Sequence, residues 1–156
     1  MKIKLIVIGK TDETYLKEGI ATYLKRLKHY IDFEMFCLND VKVGKKTNEL
    51  LQKELETKLI ISKINKTDYV VLLDEQGIQY NSVNFSGFLQ KRMNAGSDVV
   101  FIVGGPFGFS DELYQRAQSQ VALSKLTFSH QMVRLFFVEQ LYRGFTILRG
   151  EKYHHQ

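Results

Sequence analysis

Three of the four histidines in this chain, His130, His154 and His155, fall in its last third, beside the residues best suited to build a ligand pocket. A Gly-Gly-Pro-Phe-Gly turn at 104–108 follows an apolar run, and a hydroxyl-bearing stretch, Leu-Ser-Lys-Leu-Thr-Phe-Ser-His, fills 123–130. Glycines at a strand end permit positive φ and let a ligand lie close against the backbone. His130 and Arg134 are four apart and share a helix face, so together they can hold a phosphate or the polar edge of a base. Glu139 and Arg143 are also four apart, on nearly the opposite face, at the spacing of a structural ion pair. Tyr153, His154 and His155 belong to a tail too short to be a core element. Two adjacent histidines can take up a metal ion, yet no carboxylate or third histidine stands at ligand spacing, so no metal site is expected.

Two glycine motifs point away from common nucleotide sites. Gly9, Lys10 and Thr11 follow an apolar run, but a phosphate loop needs a glycine where Lys4 stands, so the segment reads as a strand-to-helix turn. The 104–108 turn lacks the spacing of a dinucleotide fingerprint, and Pro106 removes an amide donor where a pyrophosphate would bind. Asp74, Glu75, Gln76 and Gly77 close the apolar run at 69–73. Open α/β sheets bind ligands at the carboxyl ends of their strands, so the loops after 69–73 and after 99–103 share an edge with a pocket between them.

The elements that must position these groups follow from periodicity. The alternating, β-branched run Lys2–Ile8 is a strand, and Thr11 or Asp12 can cap the helix after it, whose apolar residues are Leu16, Ile20, Tyr23, Leu24 and Leu27. Asp32–Leu38 is a short strand, 39–46 a polar loop, and 48–64 a helix with Leu51, Leu55, Leu59 and Ile60 on one face. The uninterrupted apolar runs at 69–73 and Val99–Val103 are strands buried on both faces, as in a parallel sheet. Phe85, Phe88, Leu89 and Met93 mark a helix between them. Ser110 caps a short helix carrying Asp111 and Glu112 in its first turn, 121–126 is a last strand, and 131–148 the last helix. Strands alternating with helices define an α/β fold with a mostly parallel sheet flanked by helices. The last helix is apolar nearly all round, with Val133, Phe137, Leu141 and Phe145 on one side and Leu135, Val138, Tyr142 and Phe136 on others. Such a helix must be buried nearly all round, and a second subunit is the simplest cover, so a homodimer is expected.

Composition sets the broad class. A chain of 156 residues with 44% apolar content builds one core, so a single domain over 1–156 is expected. The net charge of +5 and pI of about 9.2 favour an acidic partner. Cys37 is the only cysteine, which excludes an internal disulfide and makes reducing cytoplasm the expected compartment. No apolar stretch reaches the roughly 20 residues of a membrane span, and the N-terminus reads as a strand rather than a signal peptide.

Taken together, Leu73 to Gly77, Ile102 to Gly108, Leu123 to His130 with Arg134, Glu139 to Arg143, and the closing Tyr153-His154 resemble the RlmH-type branch of the SPOUT RNA methyltransferases. The resemblance runs the whole length of the chain. It implies an α/β fold whose C-terminal part is threaded into a trefoil knot, an exception to the rule against knotted chains. It also implies a homodimer and an S-adenosylmethionine site formed by Leu73, Gly104, Gly105, Leu123, Ser124, Lys125, Leu126, Thr127 and Phe128. The implied reaction is methyl transfer to N3 of a pseudouridine in large-subunit (23S) ribosomal RNA, within the ribosome. The catalytic candidates are His130, Arg134, Arg143, Tyr153 and His154, with the tail of one subunit reaching the pocket of the other. Within that set, His154 is a candidate general base and Arg143 a candidate stabiliser of the base anion. Three positions depart from the family pattern: Phe107 replaces a commonly polar residue, and Ser129 and Lys152 stand where prolines are usual. An alternative of another class is an RNA-binding or ribosome-assembly module that keeps the fold without turnover.

Overall fold

The computed structural model describes residues 1–41, 44 and 48–155. Strands β1 (Lys2–Ile8), β2 (Asp32–Leu38), β3 (Tyr69–Gln79), β4 (Val99–Val103) and β5 (Ser119–Ala122) form one sheet in the order β2-β1-β4-β3-β5, every pairing parallel. Helices α1 (Thr14–Leu27), α2 (Glu49–Ile61), α3 (Ser82–Ala95), α4 (Asp111–Arg116) and α5 (Met132–Leu148) connect and cover it. The α/β expectation holds. Positions 42, 43, 45 and 46 of the expected polar loop lie outside the described residues.

Side chains alternate across a strand, so each central strand feeds two cores. Ile3, Leu5 and Val7 of β1 with Val99, Phe101 and Val103 of β4 face α1, α3 and α5, where they meet Ile20, Leu89, Phe137 and Leu141. Ile6 and Ile8 with Val100 and Ile102 point the other way, toward Ile60 and Leu113 of α2 and α4. Lys4 also faces that second side; its Nζ donates to Asp68 Oδ2 at 3.3 Å, so the buried ammonium is paired.

Helix α5 lies on the first face between α1 and α3. Two glycines permit this packing: a Cβ on Gly144 would stand 2.7 Å from Leu89 Cδ1, and one on Gly19 would stand 3.0 Å from Leu135 Cδ1. Phe137, Val138, Leu141 and Phe145 are buried within the one chain, and Phe136 is the large apolar residue of α5 left exposed, at 44%. The apolar circumference of α5 is thus largely covered without a second copy. The argument for a homodimer from a helix needing a second subunit as its simplest cover therefore loses its support.

Other local expectations change in instructive ways. Strand β3 runs on to Gln79 instead of ending at Leu73, and its register against β5 shifts between Leu73 and Ile78. Gly77 permits the pairing: a Cβ there would stand 2.6 Å from backbone atoms of Gln120 and Val121. Strand β5 accordingly starts at Ser119 and ends at Ala122, leaving 123–131 as an irregular loop. Helix α1 begins after Glu13 without a side-chain cap, because Thr11 and Asp12 are engaged elsewhere. Helix α2 buries Glu56, Thr57 and Ile60, while Leu51 and Leu59 are exposed. Asn48 caps α2 through Leu51 N, and Ser110 caps α4 through Leu113 N, the latter as expected.

Candidate active site

A pocket of about 580 Å³ opens at the carboxyl ends of β3, β4 and β5. Its walls come from the segment after Leu73, the glycine turn after Val103, and the loop 123–130. The adjacent strand ends therefore frame one cavity, as topology demands of a parallel sheet. Of the expected cofactor residues, Leu73, Gly104, Gly105, Leu123, Ser124, Leu126, Thr127 and Phe128 line it. Lys125 is exposed and is not among the lining residues.

Short polar contacts hold these loops in place. Ser124 Oγ accepts from Leu126 N at 2.9 Å, and Thr127 Oγ1 donates to Glu75 Oε2 at 2.7 Å, tying the loop to the second half of β3. Tyr114 donates its hydroxyl to Asp74 Oδ2 at 2.5 Å. Burial, and then that acceptor, push the Tyr114 phenol up to about 12, so it remains a donor at neutral pH. Ser129 Oγ accepts from Met132 N and closes the first turn of α5. A proline at position 129 would have no hydroxyl to make that bond.

The glycine turn works differently from expectation. Neither Gly104 nor Gly105 has positive φ; Gly108 does, at 78°. Gly105 instead makes room for Glu56, whose carboxylate oxygens would lie 2.5 Å from a Cβ at that position. Glu56 is buried, and burial raises its carboxyl above the ordinary value, with the Gln52 hydrogen bond opposing. Sequence reasoning missed this residue because it stands among leucines on an outwardly amphipathic helix. The available signal was its helical spacing from Ile60, which shares its buried face.

His130 lines the pocket and is exposed, but Arg134 does not share a phosphate site with it. Arg134 is wholly buried. Its guanidinium donates to Ile8 O at 2.6 Å, Gly9 O at 2.9 Å, Thr11 Oγ1 at 3.0 Å and His130 O at 2.9 Å. The carbonyls at the end of β1 have run out of strand partners, and the arginine fork satisfies them. It also pins the start of α5, and with it the pocket loop, to the sheet. Burial lowers the Arg134 pKa, while Cys37, Asp40 and Asp12 favour the charged form.

The remaining candidates gather elsewhere on α5. Glu139 Oε1 accepts from Arg143 Nε at 3.1 Å and Nη2 at 2.5 Å, and from the Tyr153 hydroxyl at 3.0 Å. Tyr153 also shares a hydrogen bond with the Tyr23 hydroxyl at 3.1 Å, and its ring lies 4.7 Å from the Arg143 guanidinium carbon. Arg143 Nη1 stands 3.3 Å from His154 Nδ1. The Glu139 bond raises the Arg143 pKa, and burial followed by the Tyr23 and Glu139 hydrogen bonds raises that of Tyr153. Glu139 and Arg143 do form the expected ion pair, but as the anchor of the tail. None of Arg143, Tyr153 and His154 lines the pocket of the same chain.

Among the described residues no group of three His, Cys, Asp or Glu is placed to hold a metal, and no helix is long and apolar enough to cross a membrane.

The molecule is thus a parallel α/β sheet with one pocket framed by β3, β4 and β5 and, apart from it, a polar cluster of Glu139, Arg143, Tyr153 and His154. The chain belongs to the SPOUT methyltransferase family: the family model described as "Predicted SPOUT methyltransferase" matches residues 1–154. It is 57% identical over 157 residues to the ribosomal RNA large subunit methyltransferase H of Flavobacterium johnsoniae, and 55% identical over 157 residues to that of Christiangramia forsetii. Each alignment covers 100% of both chains. A methyltransferase from Legionella pneumophila, solved with bound SAM, is 13% identical with a TM-score of 0.49, covering 90% of this chain and 65% of that one.

Proposed function

We propose that the protein is an S-adenosylmethionine-dependent methyltransferase acting on N3 of a pseudouridine in large-subunit ribosomal RNA, as a homodimer in the cytoplasm. The observation that carries this reading is the separation of two half-sites on one chain. The pocket beside β3, β4 and β5 is lined by His130 together with Asp74, Glu75 and Tyr114, which are engaged in bonds between its walls, while Arg143, Tyr153 and His154 stand outside it. A second copy whose tail reaches the pocket unites them. Exposed Leu126 and Phe107 at the pocket supply apolar surface for that contact. The knotted path of the C-terminal segment belongs to the same reading.

The pocket suits the cofactor in size and chemistry. About 580 Å³ is in the range of small-molecule sites, and Leu73, Leu123 and Leu126 offer apolar surface for a purine ring. Gly104 and Gly105 line the pocket and can meet a ligand only through backbone amides and carbonyls. When bound, the cofactor supplies a methyl carbon that passes to N3 as its bond to sulfur breaks, the N3 proton leaving to solvent. The protein's task is to hold the base edge in line and to stabilise negative charge on the ring, which the guanidinium of Arg143 and the donors beside it suit.

Incubating the protein with methyl-labelled S-adenosylmethionine and either intact ribosomes or free rRNA, then mapping the label, tests this. Label on one pseudouridine of the large-subunit RNA is expected. Cofactor binding by calorimetry with no label on RNA would leave the non-catalytic RNA-binding module in its place.

A further inference from the structure

We propose that His154 meets the target base as a hydrogen-bond donor through Nε2–H, not as the acceptor of the N3 proton, and that Glu139 is the positioning residue that fixes this role. The proposal rests on the methyltransferase reading for the identity of the base, and on local geometry for the proton.

A guanidinium has only donors. Arg143 Nη1, 3.3 Å from His154 Nδ1, therefore donates, and Nδ1 accepts. A neutral imidazole that accepts at Nδ1 carries its proton at Nε2. What the ring has left to offer another partner is thus an N–H, not a lone pair.

The orientation of Arg143 is itself fixed. Glu139 Oε1 takes both Nε and Nη2 of the guanidinium, which leaves the Nη1 edge for the histidine. The Tyr153 hydroxyl donates to the same carboxylate oxygen, and the Tyr153 ring stacks on the guanidinium. Gln140 Nε2 donates to Glu139 Oε2 at 2.6 Å. From α1, Tyr23 reaches the Tyr153 hydroxyl, and Arg26 lies over the Tyr23 and Tyr142 rings. The groups facing this cluster from α1, α5 and the tail thus hold a fixed arrangement with a partly buried imidazole at its end.

A donor beside a cation fits one kind of base edge. N3 of a uracil-type ring is flanked by two carbonyl oxygens, and negative charge collects on them as N3 loses its proton. A donated hydrogen bond to either oxygen strengthens as that charge grows, and so favours the anion. The proton itself passes to water, and the N3 lone pair forms the new bond to the methyl carbon. A cytosine-type edge, with an amino group on one side of N3, offers the donor less.

Two measurements test the proposal on the full-length protein. In ¹⁵N-histidine NMR at neutral pH, with the His154 signals assigned by their loss in His154→Gln, Nε2 should be protonated and Nδ1 bare. In Glu139→Gln the two tautomers should mix. A protonated Nδ1 in the parent protein overturns the proposal whether or not the chain methylates RNA. In single-turnover methylation with saturating cofactor, His154→Gln, whose amide N–H replaces Nε2–H, should keep the rate within about tenfold, and His154→Ala should lose about a hundredfold. Equal losses in Gln and Ala, with the acid limb of the pH–rate profile abolished in both, would establish the proton-acceptor role instead. If the parent protein transfers no methyl group at all, the methyltransferase reading fails and the tautomer is still decided by NMR.

Discussion

The carboxylate of Glu56 occupies the space that any side chain at Gly105 would need, at 2.5 Å from the ideal Cβ position. Helix α2 and the pocket's glycine turn are thereby coupled through one buried acid. Gly105→Ala must displace Glu56, at a cost of about 1–3 kcal/mol, the usual range for overpacking. Denaturant titration should show the loss, calorimetry a weaker affinity for S-adenosylmethionine, and Glu56→Ala in the same chain a partial recovery of both. Additive losses in the double variant would mean that the two residues do not meet.

The same acid has a pH signature. Burial holds the Glu56 carboxyl above its ordinary 4.5, so the folded state binds its proton more readily than the unfolded chain does. The associated stability is complete below the unfolded pKa and is lost as pH rises through the folded one. Glu56→Gln, which never ionises, should therefore melt higher than the parent at neutral pH, and the gap should close below pH 4.5. Thermal melts across that range check both the sign and the window.

Arg134 tests the distinction between grip and brace. Because its donors serve Ile8, Gly9, Thr11 and His130 inside the protein, Arg134→Ala should cost about 3 kcal/mol or more by leaving buried carbonyls unpaired. Arg134→Lys should recover little, since a single ammonium cannot span the fork. If the alanine variant keeps full stability in urea but loses RNA affinity with a reduced salt slope, a phosphate contact is the better account.

At Gly77 the obstacle is backbone, not a movable side chain. Gly77→Ala should break the shifted register between β3 and β5, lowering Tm and cofactor affinity together. Amide exchange at Val121 and Ala122 should rise in step. An unchanged exchange pattern would refute the strain.

What the sequence made legible, and what it hid, divides by the range of the physics. Alternation in Lys2–Ile8 and the bare apolar run Val99–Val103 were readable because a strand's two faces impose their own pattern, and these bounds match the structure. Ser110 announced its cap because capping is settled within a few residues. The pocket loops could be placed on one sheet edge because parallel topology leaves strand ends together. Arg134 could not be read correctly, since Ile8, Gly9 and Thr11, three of its four partners, lie more than a hundred positions away, at the other end of the chain. Thr11 and Asp12 look like caps in sequence, yet a distant arginine and Gln131 claim them. The extension of β3 past Leu73 was hidden for a similar reason: Gly77 reads as a turn residue until the neighbouring backbone of β5 is seen.

The bonds that join Arg134 to Ile8 and Gln131 to Asp12 have a consequence for synthesis. They fasten the first strand to the last helix across nearly the whole chain, so contacts of long sequence separation must form before the 123–130 loop has its brace. A nascent chain that has not yet delivered Arg134 has its first strand but nothing to anchor that loop upon it. Cofactor capacity should therefore arrive late and abruptly, once Arg134 has docked on the end of β1, so that binding of the methyl donor reports the closure of the two ends of the fold upon each other.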